Sequence, residues 1–148
     1  AGQLLVEVEG RPAMRVTALV LAAGLAAAQP ALAGEPADSI EAVISDQIAA
    51  FGSEALGRAF SHASPDIQDK FGDPQTFGRM VESGYPMIWR PAGWEWGELR
   101  QTGRGWVQTV IFQDAEGRFH AADYLMEEID GRWRIDGVFL RRMPGVAS

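Results

Sequence analysis

Hydrophobic periodicity changes once along this chain, at Gly84-Tyr85-Pro86-Met87-Ile88-Trp89-Arg90-Pro91. Before that stretch, apolar residues recur at i, i+3 and i+4, with a capping signal at each break. After it, short runs alternate at period two and are separated by glycine turns. Helices followed by a strand meander must bury one stripe against one sheet face, which predicts an α+β domain. The expected architecture is N-terminal helices packed on a curved, mostly antiparallel four-stranded sheet.

The helical half carries its own punctuation. Asp38-Ser-Ile-Glu41 has capping-box spacing and precedes Ile40, Val43, Ile44, Ile48 and Phe51 on one face, with Gly52 as the stop. Ser53 is the expected cap of a second helix carrying Leu56, Ala59 and Phe60. Ser64-Pro65 and Asp73-Pro74 each place a capping side chain before a first-turn proline. The helices they start are expected to stop at Phe71-Gly72 and at Gly84. His62, beside Ser61 and Ser64, reads as a polar residue at a helix C-terminus, where the dipole favours it. The functional alternative is a base for one of those hydroxyls.

The strand candidates are Trp94–Gln101, Trp106–Gln113, Phe119–Glu128 and Trp133–Leu140. Asp130-Gly131 predicts a two-residue type I′ hairpin. It sets Met126 opposite Ile135, Glu127 opposite Arg134, Tyr124 opposite Gly137 and Asp123 opposite Val138. Asp114-Ala-Glu-Gly117 predicts a type I turn with a bulged glycine, so Phe112 faces His120. Both turns select one inner face: Trp106, Gln108, Val110, Phe112, His120, Ala122, Tyr124, Met126, Trp133 and Ile135. The turn Thr102-Gly-Arg-Gly105 leaves the facing of Trp94 and Trp96 open.

Ahead of this domain, Met14-Arg15, the apolar run Val16–Ala28 and Gln29-Pro30-Ala31-Leu32-Ala33 form the pattern of a secretory signal peptide. The run is too short for the ~20 residues that span a bilayer. The expected organisation is Ala1–Ala13 as an upstream or appended segment, 14–33 as signal peptide and 34–38 as a short linker. The domain then occupies 39–142, with a tail at 143–148. Localisation follows as periplasmic or secreted, with no stable membrane anchor after cleavage.

Composition removes several function classes. With 148 residues and a net charge of −7, the chain has no concentrated basic face for nucleic acid. Cysteine is absent, which excludes disulfides and thiolate chemistry. Its two histidines lie far apart, so neither a metal site nor a cofactor is expected. There is no G-x-S-x-G and no phosphate loop.

Element order, the crossover Tyr85-Pro86-Met87-Ile88-Trp89 and the closing run Gly131–Val138 resemble the superfamily of nuclear transport factor two, ketosteroid isomerases and polyketide cyclases. The resemblance covers about Ser39 to Leu140 and implies a cone whose sheet wraps the helices. More narrowly, the chain resembles a family of small secreted bacterial proteins classed as a domain of unknown function, which implies an export route but no activity. Isomerase members use an aspartate base with a tyrosine and a protonated acid. The counterparts would be Asp123, Tyr124 and Tyr85, yet the register turns Asp123 outward. No catalytic residue is therefore assigned.

The candidate pocket residues are Tyr85, Trp89, Trp106, Gln108, His120 and Tyr124. The expected function is non-catalytic: binding a small apolar or aromatic ligand in the cone, or acting as an interaction module. The alternative is isomerase- or hydrolase-like chemistry at His120 and Tyr124, with His120 as the base. A homodimer through the outer sheet face is the expected partner, at Val107, Ile111, Phe119 and Leu125 among Thr109, Asp123 and Glu127.

Overall fold

The computed structural model describes residues 20–143. Its contacts divide the chain into two units, Ala1–Pro36 and Ala37–Ser148. In the first, the described backbone is helical from Val20. The signal-peptide start, Met14 to Leu19, lies outside the described residues. Among the described residues no helix is long and apolar enough to cross a membrane.

The second unit holds the folded domain. Its elements are the end of α1 (Val20–Gly52), α2 (Leu56–Ser61), α3 (Pro65–Phe71), α4 (Pro74–Gly84) and α5 (Pro86–Trp89). Strands β1 (Gly93–Thr102), β2 (Gly105–Gln113), β3 (Phe119–Ile129) and β4 (Arg132–Arg142) follow, forming one antiparallel sheet in the order β1-β2-β3-β4. The sheet does not close on itself, so β1 and β4 are its edges.

Capping signals explain most helix ends. The Ser64 hydroxyl accepts from the Ile67 amide at 3.3 Å, and the Asp73 carboxylate accepts from the Thr76 amide at 2.7 Å. Each precedes a first-turn proline as expected. Gly72, at φ 86°, ends α3 in a conformation that favours glycine. Two expected caps are not formed. Asp38 lies inside α1, which is already helical before it, because the alanine-rich stretch upstream has high intrinsic helix propensity. Ser53 bonds back to the Ala49 carbonyl at 3.2 Å, and Ala55 occupies the N-cap of α2 with no side-chain bond. A left-handed residue at Glu54 (φ 58°) makes that turn instead.

Helices and sheet share one core. Ile40, Ile44, Ile48 and Phe51 of α1 meet Val110, Phe112, Ala122, Tyr124, Met126 and Ile135 of the sheet. Each large apolar side chain among them contributes roughly 1.5–3 kcal/mol by leaving water. Phe77 is an aromatic hub, with ring centroids 5.9 Å from Phe51, 5.4 Å from Phe60 and 5.8 Å from Phe71.

The hairpin turns form as expected. Asp130 and Gly131 both have positive φ, at 53° and 78°, as a type I′ turn requires. Gly117, at φ 86°, closes the β2–β3 turn, and Phe112 stands opposite His120. The β3–β4 register needs one correction. Met126 pairs with Ile135 and Glu127 with Arg134, but a bulge then places Tyr124 opposite Val138 and Asp123 opposite Phe139. Asp136 is the extra residue. A second bulge, between Trp96 and Leu99, keeps Trp94 opposite Phe112 and brings Leu99 opposite Gln108. Trp94 and Trp96 both pack against the core, in edge contact at 4.9 Å. Bulges bend the strands that carry them, and here they curve the sheet toward the helices.

Candidate functional site

A cavity of about 280 Å³ lies between the helices and β4. Its wall is mainly apolar: Phe51, Ile67, Phe71, Phe77, Val81 and Ile88 from the helices, with Ile135 and Val138 from the sheet. Pockets for small molecules usually measure ~300–1,000 Å³, so this one suits a compact occupant. Its polar members are Gln47, Lys70, Tyr85, Tyr124 and Asp136.

Tyr124 is the chemically distinctive group. It is 0% exposed, yet its hydroxyl has no hydrogen-bond partner among the described residues. Leaving a buried hydroxyl unpaired costs roughly 1–3 kcal/mol. Burial pushes its pKa far above the ordinary phenol range, so the group is a neutral donor. Tyr85, across the cavity, donates to the Val138 carbonyl at 3.4 Å. Gln47 donates to the Ala59 carbonyl at 3.1 Å, which ties α1 to α2.

At the β4 wall the chain is held by the His62–Ser64 segment. The Ser64 amide donates to the Ile135 carbonyl at 2.8 Å, and the Ile135 amide to the His62 carbonyl at 2.8 Å. The Ser64 hydroxyl donates to Asp136 at 2.7 Å, fixing the bulge residue at the cavity wall.

Of the six candidate pocket residues, Tyr85 and Tyr124 line this cavity. The other four sit elsewhere. Trp89 packs on Phe51 at 5.7 Å and carries the Arg90 guanidinium over its ring at 4.9 Å. Arg90 also donates to the Phe51 carbonyl at 2.9 Å and to Glu54 at 3.0 Å, closing the end of α1. Trp106 packs at the core margin, opposite Met126. Gln108 turns its amide to the β1 bulge, donating to the Gly97 carbonyl at 3.1 Å and the Thr109 carbonyl at 2.8 Å. His120 Nε2 lies 2.8 Å from the Asp114 carboxylate at the β2–β3 turn. That hydrogen bond is the main cause holding the Asp114 pKa well below the usual carboxylate range.

The hydroxyl–base pair considered at His62 is not formed. His62 Nε2 lies 2.7 Å from Asp46, Ser61 donates to the Arg58 carbonyl, and Ser64 serves Asp136. No group of three or more metal-ligating side chains is present among the described residues.

Gln47, Ser64 and Asp136 were not among the expected site residues. Gln47 had a visible signal, since it falls on the same helical stripe as Ile40, Ile44 and Phe51. Asp136 had none, because only the bulge brings it to the wall.

The outer sheet face is organised around Asp123. Arg141 binds its carboxylate through two nitrogens at 2.7 and 3.0 Å, and Thr109 donates to it at 2.7 Å. The Arg141 bond is the largest of the effects that lower the Asp123 pKa. Of the apolar residues expected there, Val107 is buried and Ile111 and Leu125 are half-buried.

These features define a small α+β domain with an apolar cavity that Tyr124, its buried hydroxyl unpaired among the described residues, helps to line. The family model described as "Domain of unknown function (DUF4864)" matches residues 34–148, and the chain belongs to that family. No curated protein matches it. Among solved structures, the chain is similar to the 1.8 Å structure of Aln2 from a Streptomyces species. The two share 10% identity with a TM-score of 0.47, over 74% of this chain and 91% of that one.

Proposed function

We propose that this domain is an exported, non-catalytic binding module for a small, mostly apolar molecule carrying one neutral hydrogen-bond acceptor. The observation that carries the reading is Tyr124, which helps line an apolar cavity and whose fully buried hydroxyl has no partner among the described residues. An acceptor on the ligand would satisfy it. Aryl ketones, aldehydes and amides have the matching chemistry.

Catalysis is the weaker reading. Proton transfer needs a base within reach of the substrate, and His120 is engaged by Asp114 away from the cavity. Export is supported by the charged start, apolar run and A-x-A site ending at Ala33. The family match begins at Gly34, the next residue.

The test is native mass spectrometry of the protein purified gently from an exporting host. A retained small-molecule mass that is lost in Tyr124→Phe is expected. A retained mass unaffected by Tyr124→Phe would count against this site.

A further inference from the structure

An edge strand exposes a row of unpaired backbone groups, and stable monomers protect it with charge, proline, bulges or a covering segment. β1 is protected in this way. It carries Glu95, Glu98 and Arg100, and its bulge breaks the edge at Gly97-Glu98. β4 is covered by a paired segment only at its start, where His62–Ser64 pairs with Ile135, and carries charge at its far end in Arg141 and Arg142. Beyond the bulge, from Gly137 to Arg142, no described segment pairs with it.

The direction of the exposed backbone groups follows from the ladder. Ile135 turns its amide and carbonyl away from β3, toward His62 and Ser64. Across the bulge, Val138 opposite Tyr124 is the next residue of that kind, and its carbonyl does receive the Tyr85 hydroxyl. By antiparallel alternation Leu140 is the one after it, with both its amide and carbonyl directed outward.

Three large apolar side chains are exposed among the described residues, and two sit on this free edge: Phe139 at 60% and Leu140 at 38%. Phe139 and Arg141 lie on the outer face, opposite Asp123 and Ala121, while Leu140 lies opposite Ala122 on the inner one.

We propose that β4 pairs antiparallel with β4 of a second copy of this chain, about a two-fold axis at Leu140. The two sheets then continue as one. Leu140 exchanges both backbone hydrogen bonds with the partner's Leu140, and Val138 stands opposite the partner's Arg142. On the outer face each Phe139 lies against the partner's Arg141, an aromatic ring beside a guanidinium. The strand is thus self-complementary: each Phe139 meets a cation rather than a second exposed ring. The contact lies at the edge of the outer face rather than its middle.

The test is sedimentation equilibrium on the full chain, with Phe139→Glu, Leu140→Pro and Ile111→Glu compared. Phe139→Glu removes a ring that is 60% exposed, and because its carboxylate stands opposite Asp123 its fold is also checked by circular dichroism. Leu140→Pro removes an outward amide, a position where edge strands tolerate proline. The wild type is expected to be a dimer, with each of these two variants dissociating at least roughly tenfold more readily, the loss of one good contact. Ile111→Glu, in the middle of the outer face, is expected to match the wild type. Should Leu140→Pro fail to fold by circular dichroism, Phe139→Glu alone decides. A monomeric wild type, a Phe139→Glu dimer as tight as wild type, or dissociation by Ile111→Glu would each overturn the proposal.

Discussion

The Ser64 hydroxyl lies 2.7 Å from Asp136 and joins the start of α3 to the bulge of β4. The same oxygen caps the helix by accepting from the Ile67 amide. One buried side chain therefore holds both a helix end and the strand irregularity that shapes the cavity wall.

Ser64→Ala should destabilise the domain by about 1–3 kcal/mol, through loss of the cap and of the bond to Asp136. Urea denaturation measures it directly. Ser64→Thr, which keeps the hydroxyl, should recover part of the loss.

Tyr124→Phe removes an unpaired buried hydroxyl and keeps the ring. In the absence of ligand it should be neutral or stabilising, by up to ~1 kcal/mol, because an unsatisfied donor disappears. A clear destabilisation on thermal melting would mean that the hydroxyl already has a partner.

His120→Ala should leave the thermal midpoint close to wild type, since its partner Asp114 belongs to a turn that further backbone and side-chain hydrogen bonds also hold. It should also leave ligand binding unchanged. Loss of binding with an intact fold would revive His120 as a functional residue.

The carboxyl of Asp123 is held below its ordinary value by Arg141 and Thr109. For a lowered carboxyl, the stabilisation is fully present above the unfolded-state pKa of ~3.9 and is lost as pH falls through the folded value. Stability should therefore decline below about pH 4. Asp123→Asn should flatten part of that acid limb when denaturation midpoints are compared across it. The lowered carboxyls of Asp46, Asp73 and Asp114 act in the same direction over the same range.

Much of the fold was legible because local rules and tertiary demands agree. Asp130-Gly131 fixes a hairpin, the hairpin fixes which residues face inward, and that face is the one the helices cover. Ser64-Pro65 and Asp73-Pro74 state their helix starts outright. The β3–β4 register failed beyond Met126 because a bulge leaves no period-two signature when the extra residue is a polar Asp136. The same displacement hid the cavity wall. Gln108 and His120 were legible as inner-face polar residues, but the Gln108 amide nitrogen donates to the β1 bulge and His120 bonds the β2–β3 turn, not the cavity. Tyr124 stood out for the opposite reason, since nothing nearby satisfies it.

A ligand seated in the cavity with its acceptor on Tyr124 is the central claim. Its most direct test is titration of the purified protein with acetophenone, followed by amide chemical shifts. Saturable shifts should cluster at Phe77, Tyr124 and Val138, with a Kd on the order of 0.1–1 mM for so small a probe. Tyr124→Phe should weaken binding about tenfold, as expected for one hydrogen bond to a buried donor. Shifts that never saturate, or that leave these residues unmoved, would contradict the claim.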